Sequence, residues 1–133
     1  MAGKFELKKS KNGKFHFNLL AGINLVGAAE VMALAQRLGL NMSRTLDVIE
    51  QSSGQSWIGS DRLRRAIAGD FEPRAHVTLL AKDTALAVAA ADQAGFKGPL
   101  GTRASQVFAQ AISAGLAGED DAALFKLMGG QPV

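Results

Sequence analysis

Cysteine is absent from the 133 residues, which excludes a disulfide framework and any thiolate metal site and fits a cytoplasmic location. The two histidines, His16 and His76, stand far apart and form no zinc pattern. Asp47, Asp61, Asp92, Glu119, Asp120 and Asp121 have no spacing that suggests a metal site either. No Gly-x-Gly-x-x-Gly follows a strand pattern, so these residues lack the phosphate cradle of a dinucleotide-binding fold. Gly98-Pro99-Leu100-Gly101 is no phosphate loop, because no strand precedes it and no Lys-Ser/Thr follows. Residues 15–38 do not read as a membrane span or signal sequence. Asn18, Asn24, Glu30 and Gln36 interrupt the run, and glycine and alanine dilute it.

What is present suffices for one compact domain. Hydrophobic residues make up 47% of the chain, enough for a core. The net charge of +3 is unevenly spread. Residues 1–17 carry Lys4, Lys8, Lys9, Lys11 and Lys14 against Glu6, while the remainder is nearly neutral. The basic character therefore belongs to the N-terminus.

Two periodicities divide the sequence. Phe5 and Leu7, then Phe15, Phe17 and Leu19, alternate with polar residues, and Asn12-Gly13 between the runs is a tight-turn signal. This predicts a β-hairpin over residues 1–19, with one aromatic face and one basic face. From Asn18 the period becomes helical, and residues 20–133 read as a helical domain. Leu20, Ile23, Val31, Leu34 and Leu38 mark a long helix over about 19–38, closed by Gly39. Ser43 caps a short helix to about Gln51, with Leu46, Val48 and Ile49 inward. A polar loop, 52–56, leads to a helix over about 57–68 that ends at Gly69. Further helices are predicted over about 75–94, before Gly95, and over about 100–114, before Gly115. A last short helix covers about 119–128, entered through acidic residues that suit its positive end, and residues 129–133 read as a frayed tail.

Several strings, in order, carry a resemblance: NLLAGINLVGAAE at 18–30, ALAQRLGL at 33–40, SSGQSW at 52–57, Gly69-Asp70-Phe71, and Leu80-Ala81-Lys82-Asp83 with Leu86-Ala87. Together they resemble the C-terminal domain of the β-hydroxyacid dehydrogenases of 3-hydroxyisobutyrate and tartronate-semialdehyde type, over about 18–128. The resemblance implies a mostly α six-helix bundle of the 6-phosphogluconate-dehydrogenase C-terminal type, here with an N-terminal β-hairpin. It implies a parent family that uses NAD or NADP, bound by a Rossmann domain, and a helical domain that closes the active site and supplies dimer contacts. By register with the family pattern Gly-x-Gly-x-x-x-Lys-x-x-x-Asn, Lys14 falls on the catalytic lysine and Asn18 on the substrate-binding asparagine. Lys82 falls on a lysine that reaches toward the nicotinamide end of the cofactor. The pattern's glycines are replaced by Lys8 and Ser10, and Phe17 stands where the first of two asparagines is usual. Residues 3–19 instead resemble the opening hairpin of small YegP-like domains, so the sequence reads as a chimera.

Each candidate also has a plainer reading. Lys14 suits a solvated strand face, where charge discourages edge pairing. Asn18 suits a helix N-cap at the hairpin–helix junction. Lys82 suits an exposed lysine near a salt bridge. Trp57 suits core or interface packing over a ligand pocket. His76 reads as a surface or capping residue, and Arg62, Arg64 and Arg65 as a solvated face.

Three functions follow. The first is an isolated or chimeric helical domain, structural and oligomerising, binding no cofactor alone and not catalytic alone. The second is an NAD(P)-dependent β-hydroxyacid oxidoreductase subunit that needs a Rossmann partner. The third is a nucleic-acid binder using the basic hairpin, which the expected burial of its aromatic face disfavours. A homodimer is the expected assembly and no membrane partner is expected.

Overall fold

The computed structural model describes the backbone of residues 2–133 and the side chains from Phe17 onward. Six α-helices follow in order: α1 Ala2–Arg37, α2 Met42–Glu50, α3 Trp57–Ile67, α4 Val77–Gln93, α5 Pro99–Ser113 and α6 Leu124–Leu127, the last preceded by a 3₁₀ turn, Asp121–Ala123. Among the described residues there is no β-strand, and a bridge between His76 and Asp120 is isolated.

The expected N-terminal β-hairpin is therefore not formed. Residues 2–19 continue the long helix without a break. The Asn12-Gly13 pair is a local preference, and a glycine inside a helix costs only about 1 kcal/mol relative to alanine. Lysine, which occurs five times upstream of Phe17, is a good helix former. Propagating an existing helix also avoids the unfavourable nucleation step. Asn18 is consequently mid-helix, not an N-cap.

The C-terminal half of α1 organises the molecule. Leu25, Ala29 and Met32 are fully buried, and α3, α4, α5 and α6 pack around this stretch. The core is completed by Leu46 of α2, Leu63 of α3, Val77 and Leu80 of α4, Phe108 of α5, and Leu124 and Phe125 of α6. Phe17–Arg37 is long and apolar enough to cross a membrane by length and composition. One stripe of it, Leu25, Ala29, Met32 and Ala35, joins the core shared with the other helices, while 22% of the apolar window is buried in all.

Helix ends follow local chemistry. Gly39 and Gly95, at φ +82° and +73°, take the left-handed conformation that closes α1 and α4. The cap of α2 is Asn41, not Ser43: its side chain accepts from the Arg44 backbone N–H. Val48 of α2 points outward, 66% exposed. The C-terminal tail is tied down instead of frayed. Gln36 exchanges two hydrogen bonds with the Gln131 backbone, at 2.7 and 2.8 Å, and the Val133 N–H donates to the Ile67 carbonyl at 2.8 Å.

Candidate functional site

The candidate site lies where α1 crosses α4. Gly22 makes that crossing close: a Cβ there would sit 2.8 Å from Thr84 Cγ2 and 3.2 Å from Phe108 Cε2. Thr84 is fully buried, and its hydroxyl donates within its own helix to the Leu80 carbonyl at 2.7 Å. Its methyl is thereby left to meet Gly22. One helical turn before Gly22 is Asn18, half-buried, whose Nδ2 donates to Oδ2 of Asp83. Asp83 is 1% exposed. An unpaired charge at such a depth is costly, and the amide donor offsets part of that cost.

Lys82 precedes Asp83 on α4 and is exposed. Successive helical residues point about 100° apart, so one element carries a buried carboxylate and an outward ammonium side by side. Lys82 shares a cavity of about 430 Å³ with Arg74, Ala75, His76, Thr78 and Leu79. His76 holds the N-cap position of α4 without a capping side-chain bond, which agrees with the surface reading. The start of α4 and the segment before it thus carry a donor-rich surface cavity, and the Asn18–Asp83 contact lies on a different face of the same helix. Lys14 stands four residues before Asn18 in α1, a spacing that places two helix positions on one face. The Lys14 side chain lies outside the described residues.

A second polar cluster is architectural. Arg62 and Arg65 of α3 are not on a solvated face; both side chains are 13% exposed. Arg62 Nε donates to Asp121 at 2.6 Å and Arg65 Nη1 to Asp120 at 2.9 Å, with Asp61 between the two arginines. Asp120 also accepts from the backbone N–H groups of Arg74, Ala75 and Ala122. Burial pushes its carboxyl up, but these three donors and Arg65 outweigh burial and hold it at about 2. At Asp121 burial prevails over Arg62 and raises the carboxyl above its ordinary value. Arg64 alone of the three arginines is surface-lying, paired with Asp47 and Glu50.

Trp57 is 72% exposed and so is not a core residue; the Arg62 guanidinium lies 5.8 Å from its ring centroid. Among the described residues no group of three metal-ligating side chains comes together. Asp83 and Asp120 were not singled out by the sequence as buried partners. The signals available were an Asp at an inward register of α4 and the Arg62/Arg65 spacing opposite consecutive acids.

The profile of the family described as the NAD-binding region of NADP-dependent 3-hydroxyisobutyrate dehydrogenase matches residues 10–128. L-threonate dehydrogenase of Escherichia coli K12 is 36% identical over 117 residues, covering 88% of this chain and 39% of that protein. The crystal structure of 3-hydroxyisobutyrate dehydrogenase from Salmonella typhimurium superposes with a TM-score of 0.83 at 37% identity, over 86% of this chain and 40% of that one. The structure of Psf3 in complex with NADP+ and 2-OPP superposes with a TM-score of 0.79 at 27% identity, again over 86% and 40%. The chain spans about two fifths of the length of these relatives. With the profile matched across most of its length, the chain belongs to the NAD(P)-dependent β-hydroxyacid dehydrogenase family, of 3-hydroxyisobutyrate dehydrogenase type.

Proposed function

We propose that these residues form the helical, substrate-facing part of an NAD(P)-dependent β-hydroxyacid oxidoreductase, that they work with a Rossmann domain, and that they do not catalyse alone. The observation that carries this reading is the unbroken helix α1. It restores the spacing of Lys14 and Asn18 as two positions on one helical face, with Asn18 bonded to Asp83 beside Lys82. In this reading Lys14 is the general acid and base at the substrate hydroxyl or carbonyl, and Asn18 hydrogen-bonds the substrate. Lys82 would hold the nicotinamide end of the cofactor. The donor set along its cavity, Arg74, His76, Thr78 and Lys82, fits a polar, partly anionic ligand. When bound, the cofactor supplies the hydride acceptor. A glycine-rich pyrophosphate loop does not occur in this sequence, so the remaining grip belongs to the Rossmann domain.

The test is oxidation of L-threonate and 3-hydroxyisobutyrate, followed by reduced-nicotinamide absorbance. The 133 residues alone are expected to give no turnover, and turnover by them alone would overturn the non-catalytic reading. Joined to a family Rossmann domain, the same residues should give activity that Lys14→Ala abolishes.

A homodimer belongs to the same proposal. Positions 17, 20, 24, 27, 31, 34 and 38 repeat at the 3–4 spacing of a helix-packing seam. Phe17, Leu20, Val31, Leu34 and Leu38 on it are 49–75% exposed. Sedimentation at micromolar concentration should show twice the 13.9 kDa chain mass, and Leu34→Glu should return it to one. A cytoplasmic place fits the bacterial dehydrogenases it resembles. The chimera rests on the sequence string 3–19 alone, and the family match begins inside it, at residue 10. The nucleic-acid reading has lost the hairpin on which it was built.

A further inference from the structure

We propose that Asp83 is the positioning residue for Asn18, and that Gly22 sets the helix spacing that lets the two meet. The inference rests on the substrate-binding reading of Asn18 given above. A carboxylate accepts hydrogen bonds and has no hydrogen to donate, so the amide must turn its N–H edge to Asp83. The two edges of the Asn amide are nearly the same shape and exchange by a half-turn about its terminal bond. Asp83 selects one of the two orientations. The Asn18 carbonyl oxygen, on the opposite edge, is then left as an acceptor. That matches a hydroxyl, the group a β-hydroxyacid oxidoreductase must orient, and it does not match a substrate carboxylate, which also only accepts.

Gly22 makes this selection possible. Asn18 and Gly22 are one turn apart on α1, and Asp83 and Thr84 are adjacent on α4. The Thr84 methyl fills the space a Gly22 side chain would need. A larger residue at 22 meets the Thr84 methyl and the Phe108 ring, and so crowds α1 against α4 at the turn next to the Asn18–Asp83 contact. Asp83 is almost fully buried, so solvent does not compete for its acceptor sites.

The amide protons of Asn18 in nitrogen–proton spectra of the 133-residue chain read the contact directly. One of the pair should be shifted downfield and slow to exchange. Asp83→Asn keeps a carbonyl acceptor and should retain the shift, whereas Asp83→Leu should remove it. Gly22→Ala should weaken it too, and adding Thr84→Ser, which deletes the nearer obstruction and leaves the Phe108 ring, should restore it in part. Backbone resonances of α4 report whether each variant is folded. An Asn18 signal indifferent to Asp83→Leu and to Gly22→Ala in folded protein overturns the proposal. In the oxidation assay with a Rossmann domain, Asp83→Leu should raise KM for L-threonate about tenfold, the loss of one oriented hydrogen bond from the substrate hydroxyl to Asn18, and Asp83→Asn should recover most of it. An unchanged KM in Asp83→Leu, with the Asn18 signal gone, also overturns the positioning role. No oxidation by the unsubstituted protein would sink the enzymatic reading instead, with the amide signal still deciding the geometry.

Discussion

Asp120 and Asp83 are both buried aspartates, yet they are surrounded in different ways. Asp120 accepts from three backbone N–H groups and from Arg65, and the segments it joins are the entry to α4, the 3₁₀ turn and α3. Asp83 accepts from the side-chain amide of Asn18, the residue proposed above to bind substrate. A carboxylate held mostly by backbone fixes architecture, because those donors cannot leave without unfolding. A carboxylate held by a side-chain amide fixes an orientation, and the fold survives its loss more easily.

The largest expected effect breaks the first site. Asp120→Ala leaves Arg65 with Asp61 as its one carboxylate partner and strands three backbone donors, and breaking a buried pair in this way costs about 3–5 kcal/mol. Urea unfolding followed by helical circular dichroism measures it. A loss below about 1 kcal/mol, the value of a surface pair, would erase the contrast.

Acid sharpens the same contrast. The Asp120 carboxyl, at about 2 in the folded protein, lies below the ordinary carboxylate value of about 3.9 in the unfolded chain. Its contribution is therefore complete above about pH 4 and disappears as pH falls toward about 2, a change of roughly 2 kcal/mol. Asp121 works in the opposite sense. Its raised carboxyl makes its ionised form unfavourable at neutral pH, and that cost is relieved on acidification. Stability of Asp120→Asn measured from pH 5 to 2 should thus fall less on acidification than that of the unsubstituted chain, the remaining fall coming from other carboxyls held low, such as Asp61 and Asp70.

Much of this architecture is legible in the sequence, for identifiable reasons. Gly39, Gly69, Gly95 and Gly115 all take positive φ, and each follows a helix, so these stops could be read from residue type alone. The helices from α2 to α5 match their periodicity within about two residues, the usual uncertainty of helix ends. The hairpin was misread because period-two alternation and Asn-Gly are local signals, and the long helix overrides both. Arg62 and Arg65 read as a solvated face because their burial depends on which helix face meets Asp120 and Asp121, and their spacing opposite two consecutive acids does not by itself fix that face. The Asn18–Asp83 contact joins residues 65 apart in sequence and was invisible for the same reason. The tail was read as frayed because Gln131 looks like any polar end residue until Gln36 is seen opposite it.

The second site should break more gently. Asp83→Asn keeps an acceptor for Asn18 and removes a buried charge, so its stability cost should be about 1 kcal/mol or less, the net value of one hydrogen bond. Urea unfolding compares it directly with Asp120→Ala. A cost of 3 kcal/mol or more would show that Asp83 is as architectural as Asp120.

The smallest effect concerns Trp57, which sits beside the saturated site without belonging to it. Arg62 donates to both Asp61 and Asp121, so its position is set before the indole is considered. The ring lies 5.8 Å away and is 72% exposed, so it contributes little burial and an exposed cation–π contact worth about 0.5–1 kcal/mol. Trp57→Ala should therefore change stability by less than about 1 kcal/mol. The chain has one tryptophan and no tyrosine, so its fluorescence reports this ring alone. Dilute protein should emit at the long wavelengths of a water-exposed indole. If the proposed dimer forms along the α1 seam and leaves α3 uncovered, the emission should stay constant as concentration rises through the association range. A blue shift on association would mean that a second copy covers Trp57, and that the interface lies on α3 instead of on Phe17, Leu20, Val31 and Leu34.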